Sequence, residues 1–266
     1  MSAGRDGYRK LLADIERVGT SRGRRTFGRY AIEGIRLAER AIRSGVHPTH
    51  ALVSASFDDE RSNRVQSLLR ELREGGALVE IAPDAVLLTL SEGRKDGNIV
   101  TLVPLPEERS LRQLIEAGPV LLVACDVEDP GNVGAMARTS LASGAPFVSV
   151  GRSDLYHPRA VRIGRGSHFR IVHRHYESYD DLAKECAREG VAFYASVSSG
   201  GIAPRELAKR LRRPAAILMG QEAFGLSRAA IEASEERVTI PMATAMDSLS
   251  VSAASAILLY ELLQRT

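Results

Sequence analysis

Apolar residues recur at helical and strand spacing along the first hundred positions. The spacing predicts helices over residues 8–17, 32–43 and 58–74, and strands over residues 50–54, 77–81 and 98–105. A stretch rich in proline and glutamate then interrupts the pattern. We therefore predict an α/β domain over residues 1–105, followed by a linker over residues 106–118.

A second alternating run fills the rest of the chain. It begins with a continuously apolar strand at residues 120–125, a pattern typical of buried parallel sheets. Further strands are predicted at residues 147–150, 170–172, 192–195, 215–219 and 237–240, and the last helix at residues 251–264. The pattern predicts a second α/β domain over residues 119–266, joined in tandem to the first.

Three segments of the second domain place small and polar residues where a strand should end and a helix begin. They are residues 126–140, 219–227 and 240–260. Loops of this kind let a ligand lie against bare backbone, and three of them indicate one composite pocket. A local alternative stays open for each segment: Asn132 as the cap of a helix beginning near Val133, Glu222 as a surface residue of a tight turn, and a closely packed last helix with Asp247 among its caps.

Charge adds a candidate partner to this picture. The chain has 36 Lys and Arg against 33 Asp and Glu, a net charge of +3. Its arginines cluster at residues 17–29 and again at residues 152–174, and four histidines lie among or directly after the second cluster, between residues 157 and 175. One such cluster fits a solvated surface equally well, but two of them favour binding of nucleic acid.

Several classes of function are disfavoured by missing motifs. No GxxxxGK[ST] loop, GxSxG elbow or strand–GxGxxG–helix unit occurs, and the spacing of Cys and His fits no zinc site. The longest apolar stretches are too short to cross a bilayer, and the N-terminus lacks the apolar core of a signal peptide. Two distant cysteines without a CxxC motif predict buried, reduced thiols in the cytoplasm.

With these segments in view, the chain resembles the SpoU (TrmH-like) branch of the SPOUT RNA methyltransferases. The family's first motif is matched by Asp126, Pro130, Asn132, Gly134 and Arg138, the second by Gly220, Glu222, Gly225 and Leu226, and the third by Ile240, Pro241, Met242, Ser248, Leu249, Val251 and Ser252. The match covers residues 119–266. It departs from the family at Ser250, where the family usually has Asn.

The resemblance implies a fold and an assembly. It implies a C-terminal α/β SPOUT domain with a deep trefoil knot, which periodicity would not predict because knots are nearly absent from folds. It also implies a homodimer formed through that domain. The N-terminal part is similar to L30e-like α/β domains that bind ribosomal RNA substrates, since residues 27–37 read FGRYAIEGIRL, an F…EG…L pattern.

The resemblance further implies transfer of a methyl group from S-adenosylmethionine to a ribose 2′-hydroxyl of RNA, of the 23S ribosomal type, without a metal. The implied catalytic residues are Arg138, Asn132, Glu222 and Ser248, and the cofactor-binding residues are Met219, Gly220, Gln221, Ile240, Met242, Ser248 and Leu249. From the arginine clusters we expect RNA to contact Arg22, Arg24, Arg25, Arg29 and Arg165.

Three alternatives stay open. The substrate of the same chemistry could be transfer RNA, although the N-terminal pattern favours ribosomal RNA. The departure at Ser250 fits a catalytically inactive, knotted RNA-binding protein. A nicotinamide-dependent enzyme is a third reading, against which the missing glycine fingerprint argues.

Overall fold

The computed structural model describes residues 4–92, 94, 97–243 and 248–263. The chain divides into two compact units. The first contains residues 1–106 together with residues 156–162, and the second contains residues 107–155 and 163–266. Each unit builds its own sheet, of four strands in the first and six in the second.

The first unit is a mixed sheet covered by helices on both faces. Its elements are α1 (Gly4–Val18), α2 (Ser21–Phe27), β1 (Arg29–Glu33), α3 (Ile35–Arg43), β2 (His50–Ser54), α4 (Ala55–Asp58), α5 (Asn63–Glu74), β3 (Leu78–Ala82), α6 (Asp84–Leu90) and β4 (Ile99–Pro104). The strand order is β1-β4-β2-β3, in which β2 and β3 are parallel and β4 is antiparallel to both of its neighbours.

Neighbouring residues of β2 show how the two faces are filled. Leu52 packs in a cluster with Leu11 of α1, and Val53 packs in another cluster with Leu68 of α5. Successive side chains of a strand point to opposite faces, so the two clusters lie on opposite sides of the sheet. The alternation predicted for this domain is thus realised with α1 on one face and α5 on the other.

The helix predicted over residues 32–43 is wrong in its first three residues. Residues 32 and 33 end β1, and α3 begins only at Ile35. Gly34 separates the two with a φ of 91°, a left-handed backbone that a side chain would strain, and its N–H donates to the Ile99 carbonyl. The apolar periodicity runs through this break, which is why it did not reveal the strand.

Arg24, which we expected to contact RNA, serves the fold instead. A short helix not predicted from the sequence, α2, follows α1, and Arg24 on it is 3% exposed. Its Nη1 donates to the carbonyls of Val18 and Gly19, each at 2.9 Å. These carbonyls end α1 and would otherwise lack donors. The prediction of RNA contact for Arg24 is wrong because its guanidinium is buried and donates to the end of α1.

The second unit is a parallel sheet. Its chain runs through α7 (Leu111–Ala117), β5 (Val120–Cys125), α8 (Pro130–Ser143), β6 (Phe147–Val150), α9 (Pro158–Gly164), which begins in the segment grouped with the first unit, β7 (His173–Tyr176), α10 (Tyr179–Glu189), β8 (Ala192–Ser196), α11 (Pro204–Ala208), β9 (Ala215–Met219), α12 (Arg228–Glu232), β10 (Glu236–Val238) and α13 (Val251–Leu262). The order is β10-β8-β9-β5-β6-β7, and every pairing is parallel.

The burial of the central strand β5 agrees with the sequence pattern. All six residues of β5 are buried, as predicted for a strand covered on both faces. The last helix, α13, packs against α8 and α11. Its predicted end at residue 264 lies outside the described residues, as do residues 244–247 and the proposed cap Asp247 within them.

Two predictions in this unit are corrected. The strand predicted at residues 170–172 is instead β7, three residues later, because a 3-10 turn at Ser167–Phe169 continues into Arg170, whose N–H donates to Ser167. The predicted linker contains α7, whose Leu111 and Leu114 are fully buried. Ser110 and Gln113 form a capping box that starts this helix.

The two cysteines are free and buried, as predicted. Burial raises the pKa of the Cys125 thiol and of the Cys186 thiol to about 12. Among the residues that the structure describes, no helix is long and apolar enough to cross a membrane, and no three His, Cys, Asp or Glu side chains are grouped to hold a metal ion.

Replacing Arg24 with Ala tests its structural role. Since the substitution leaves buried carbonyls without their charged donor, we expect it to lower the free energy of unfolding by about 2 kcal/mol. Amide hydrogen exchange in α1 should accelerate, and urea denaturation gives the energy. The exposed neighbour serves as control: Arg22→Ala should change stability by under about 0.5 kcal/mol. Equal effects of the two substitutions would contradict this role.

Candidate functional site

The parallel sheet brings the first two candidate segments together. β5 and β9 are paired in parallel, with Ala124 opposite Met219. The segment after β5 and the segment after β9 therefore leave the sheet side by side at the same edge. In open α/β sheets, ligands bind outside the carboxyl ends of the strands, where the strand order reverses. The order reverses between β9 and β5 here.

The cap of α8 differs from the prediction. The helix begins at Pro130, and the Asp129 carboxylate is the cap, since its Oδ1 accepts a hydrogen bond of 2.8 Å from the Gly131 N–H. We had expected Asn132 to cap a helix beginning near Val133. Asn132 instead lies in the first turn, which leaves its amide available for other partners.

Glu222 joins the first segment to the second. Its carboxylate accepts from Asn132 Nδ2 at 2.9 Å and from the backbone N–H groups of Glu128 at 3.1 Å and Asp129 at 3.3 Å. Burial raises the pKa of Glu222, but these hydrogen bonds outweigh burial and leave its pKa below the ordinary value. Glu222 is thus a carboxylate that orders two loops.

Asn132 extends this connection to the third segment. Its Oδ1 accepts a hydrogen bond of 3.1 Å from the Ser252 hydroxyl of α13. The amide thus donates to Glu222 and accepts from Ser252 at once. Ser250, at the position where the family usually has Asn, caps α13 by accepting from the Ala253 N–H at 3.2 Å.

The loop after β9 is closed tightly on itself. Gln221 and Gly225 exchange two backbone hydrogen bonds, of 3.1 and 2.9 Å. At Gly220 a Cβ atom would lie 2.2 Å from the carbonyl carbon of Gly225, so no other residue fits there without moving the backbone. Phe224, between Gln221 and Gly225 in this loop, is 86% exposed.

A cavity of about 580 Å³ opens next to this loop, within the second unit. It is lined by the loops after β8, β9 and β10 and by the start of α13. The seven predicted cofactor-binding residues all line it: Met219, Gly220, Gln221, Ile240, Met242, Ser248 and Leu249. Its volume falls in the range usual for small-molecule and cofactor sites, about 300–1,000 Å³.

The four predicted catalytic residues are placed differently. Glu222 and Ser248 line the cavity, and Asn132 is bound to Glu222. Arg138 is exposed, does not line the cavity, and forms no hydrogen bond or ion pair with a described residue. It follows Asn132 by six positions on α8, which places it about 9 Å along the axis and about 240° around it. The two side chains therefore face different directions.

Sequence reasoning missed one wall of the cavity. The end of β8 and the loop after it supply Ser196, Val197, Ser198 and Ser199, which we call the serine loop, and β10 supplies Arg237. The serine loop has the same signal as the three recognised segments, small residues directly after an apolar strand, and could have been found by it. Arg237 lies within a strand, where the sequence carries no such signal.

The predicted RNA-binding arginines other than Arg24 lie nearer the surface. Arg22, Arg25 and Arg165 are exposed, and Arg29 is partly buried, with Nη1 3.3 Å from His50 Nδ1. Arg165 has a positive φ of 49°.

The second arginine cluster is partly structural. Arg174 pairs with Glu185 at 2.9 Å. Burial lowers the pKa of His168 and of His173 to about 3, so both imidazoles are neutral at pH 7. These histidines therefore add no positive charge to the cluster.

The role of Glu222 in ordering the loops can be tested through pH. Because its folded pKa lies below the ordinary 4.5, its stabilisation is complete above that pH and is lost as the pH falls through the folded value. We expect Glu222→Gln to destabilise the protein at pH 7 by about 1 kcal/mol, a small effect because solvent reaches the side chain.

Urea denaturation midpoints at pH 7 and pH 3.5 give the measurement, and the difference between wild type and variant should narrow at the lower pH. Glu116→Gln is the matched control, since Glu116 is exposed and pairs with Arg112 alone at 3.4 Å. A difference that stays constant with pH would show that the Glu222 charge is not what holds the loops.

Known proteins share this arrangement over most of the chain. The 23S rRNA (guanosine(2553)-2′-O)-methyltransferase RlmP of Bacillus subtilis (strain 168) is 31% identical over 255 residues, 94% of this chain and 95% of that protein. A solved structure of an RNA 2′-O ribose methyltransferase superposes with a TM-score of 0.76 at 32% identity, over 95% of each chain.

A second solved structure supports the fold alone. The AdoMet-bound rRNA methyltransferase from Sinorhizobium meliloti gives a TM-score of 0.80 at 24% identity, over 95% of this chain and 93% of that one. Residues 119–260, more than half of the chain, match the SpoU rRNA Methylase family. The second and third motif segments line one cavity, and Asn132 of the first is bonded to Glu222 beside it. The chain belongs to the SpoU rRNA methylase family.

Proposed function

We propose that this protein transfers a methyl group from S-adenosylmethionine to a ribose 2′-hydroxyl of ribosomal RNA of the 23S type. The observation that carries the proposal is the cavity of the second unit, which residues of the second and third motifs line beside the Glu222–Asn132–Ser252 hydrogen bonds. Membership of the SpoU rRNA methylase family and the named activity of the Bacillus relative support the same chemistry and substrate.

The cavity has the features that S-adenosylmethionine requires. Gly220 lines the cavity without a side chain, so its backbone groups are accessible there, and Ile240 and Leu249 add further backbone from the third segment. Apolar side chains of Met219 and Met242 line the same space. Most of the contacts offered to the cofactor are thus backbone polar groups and apolar surface, as is usual for cofactor sites.

When bound, the cofactor supplies a methyl group on a sulfonium, a leaving group good enough to need no metal. The protein must then align the ribose hydroxyl with that methyl group. In our proposal Asn132 and Ser248 position the ribose or the cofactor, and Glu222 orders the loop that carries Gly220. A guanidinium stays protonated in proteins, so Arg138 does not act as the base. It stabilises the developing alkoxide and holds the adjacent phosphate.

The finer architecture is part of the proposal. We propose that the third segment threads through a loop of the second domain as a deep trefoil knot. Two observations support this: α13 packs on α8, and Ser252 reaches back to Asn132, 120 positions earlier in the chain.

A homodimer through the second domain, residues 119–266, completes the proposal for the site. α13 leaves Ile257 38% and Tyr260 68% exposed, an apolar surface suited to a second copy. Arg138 faces away from the side of α8 that carries Asn132 and is free of partners among the described residues. A site completed near the interface of two copies accounts for the position of Arg138 outside the cavity.

The first domain, residues 1–105, holds the RNA in this proposal and has the L30e-like fold. Its exposed Arg22 and Arg25, together with Arg29 and with Arg165 of the second unit, contact phosphates. The target is an unpaired or looped nucleotide, since a 2′-hydroxyl must enter a concave site. The proposal includes a cytoplasmic location, which a ribosomal RNA substrate and two unpaired thiols support.

Arg138→Ala tests the assigned chemistry. Removing a group that stabilises the alkoxide should lower the methylation rate about 10²-fold or more, while cofactor binding stays nearly unchanged. The rate is measured as labelled methyl transferred to ribosomal RNA, and binding by calorimetry. Arg112→Ala, an exposed helical arginine outside the site, is the control. Unchanged turnover in Arg138→Ala would refute the role.

The substrate itself is tested by mapping 2′-O-methyl groups in cellular RNA with and without the gene. We expect one ribosomal position to lose its methyl group, and the purified protein to restore it with S-adenosylmethionine. Loss from transfer RNA would move the activity to that substrate. A binding protein without activity would leave every methylation unchanged, and it would give no saturable heat with the cofactor.

A further inference from the structure

The cavity holds two charged side chains among the described residues, and they differ in what they can offer a ligand. Glu222 uses both carboxylate oxygens on Asn132 and on two backbone N–H groups. The guanidinium of Arg237, on β10, has no hydrogen bond or ion pair with any described residue. The charge that the cavity presents to a ligand is therefore positive and belongs to a guanidinium.

The position of Arg237 places this charge at one end of the cavity. β10 lies beside β8, with Arg237 opposite Ala195, the residue before the serine loop that begins at Ser196. β8 in turn lies between β10 and β9, which leads to Gly220. Two strand spacings, about 10 Å, thus separate Arg237 from the Gly220 loop. Serine hydroxyls of the intervening loop add further donors beside the guanidinium.

We infer that Arg237 binds the carboxylate of the amino-acid part of S-adenosylmethionine. This inference rests on the proposed function, which places that cofactor in the cavity. The cofactor carries one anionic group, its carboxylate, beside a cationic sulfonium and an ammonium. A guanidinium offers a planar pair of donors that matches a carboxylate. Arg237 therefore fixes which end of the cofactor lies at β10, and the methyl group is positioned accordingly.

The experiment pairs a change in the protein with a change in the ligand. Wild type, Arg237→Ala and Arg237→Lys are titrated by calorimetry, without RNA, with S-adenosylmethionine and with decarboxylated S-adenosylmethionine, which lacks the carboxylate alone. Arg237→Ala should weaken binding of S-adenosylmethionine about tenfold, the size expected for one solvent-accessible charged contact. Its affinity for the decarboxylated ligand should stay within about twofold of wild type. Arg237→Lys, which keeps the charge, should fall between.

Each other outcome overturns the inference. If Arg237→Ala weakens both ligands equally, the residue supports the cavity without contacting the carboxylate. If it weakens neither ligand, Arg237 does not contact the carboxylate; a lowered affinity for RNA, titrated separately, would then show that the guanidinium binds a phosphate. Arg228→Ala, an exposed arginine of α12 paired with Glu232, is the matched control and should leave both affinities unchanged. Wild type that binds no S-adenosylmethionine overturns the proposed function as well, which distinguishes the two failures.

Discussion

The arrangement of the candidate site depends on one carboxylate and one amide. Glu222 gathers three N–H donors, two of them from the backbone at the start of α8. Asn132 passes the connection to α13 because an amide can donate and accept at the same time. Three segments far apart in the sequence are held together by side chains that also lie beside the ligand cavity. Solvent reaches Glu222, so its hydrogen bonds orient the loops at a modest gain in stability.

The sheet makes this connection possible. Because all six strands of the second unit are parallel, every loop that follows a strand emerges at one edge. β5 and β9 are neighbours although 89 residues lie between Cys125, where β5 ends, and Ala215, where β9 begins. The strand order reverses between these two strands. The cavity extends from the loop after β9 across the end of β8, which supplies the serine loop, to β10, which supplies Arg237. Topology alone thus decides which loops can share a ligand.

Much of this could be predicted from the sequence, for physical reasons that also explain the errors. Continuously apolar strands such as β5 have a strong pattern, and loops of small residues mark strand ends. Contacts between distant residues carry no local signal, so the hydrogen bond between Asn132 and Glu222 was not foreseeable. Arg24 turns back only six residues to Val18, but nothing in the arginine cluster distinguishes it from its exposed neighbours. The break at Gly34 was not predicted because the apolar periodicity continues through it. The helix α7 was not predicted because the composition of that stretch suggests a linker.

The buried thiols give this protein an internal reporter. Reagents that alkylate cysteine attack the thiolate, and burial keeps Cys125 and Cys186 protonated and away from solvent. Cys125 ends the central strand β5, and Cys186 lies on α10 in the same core cluster. Alkylation must therefore wait until this part of the molecule opens. The rate at which the native protein is alkylated therefore reports how often the sheet that supports the cavity opens.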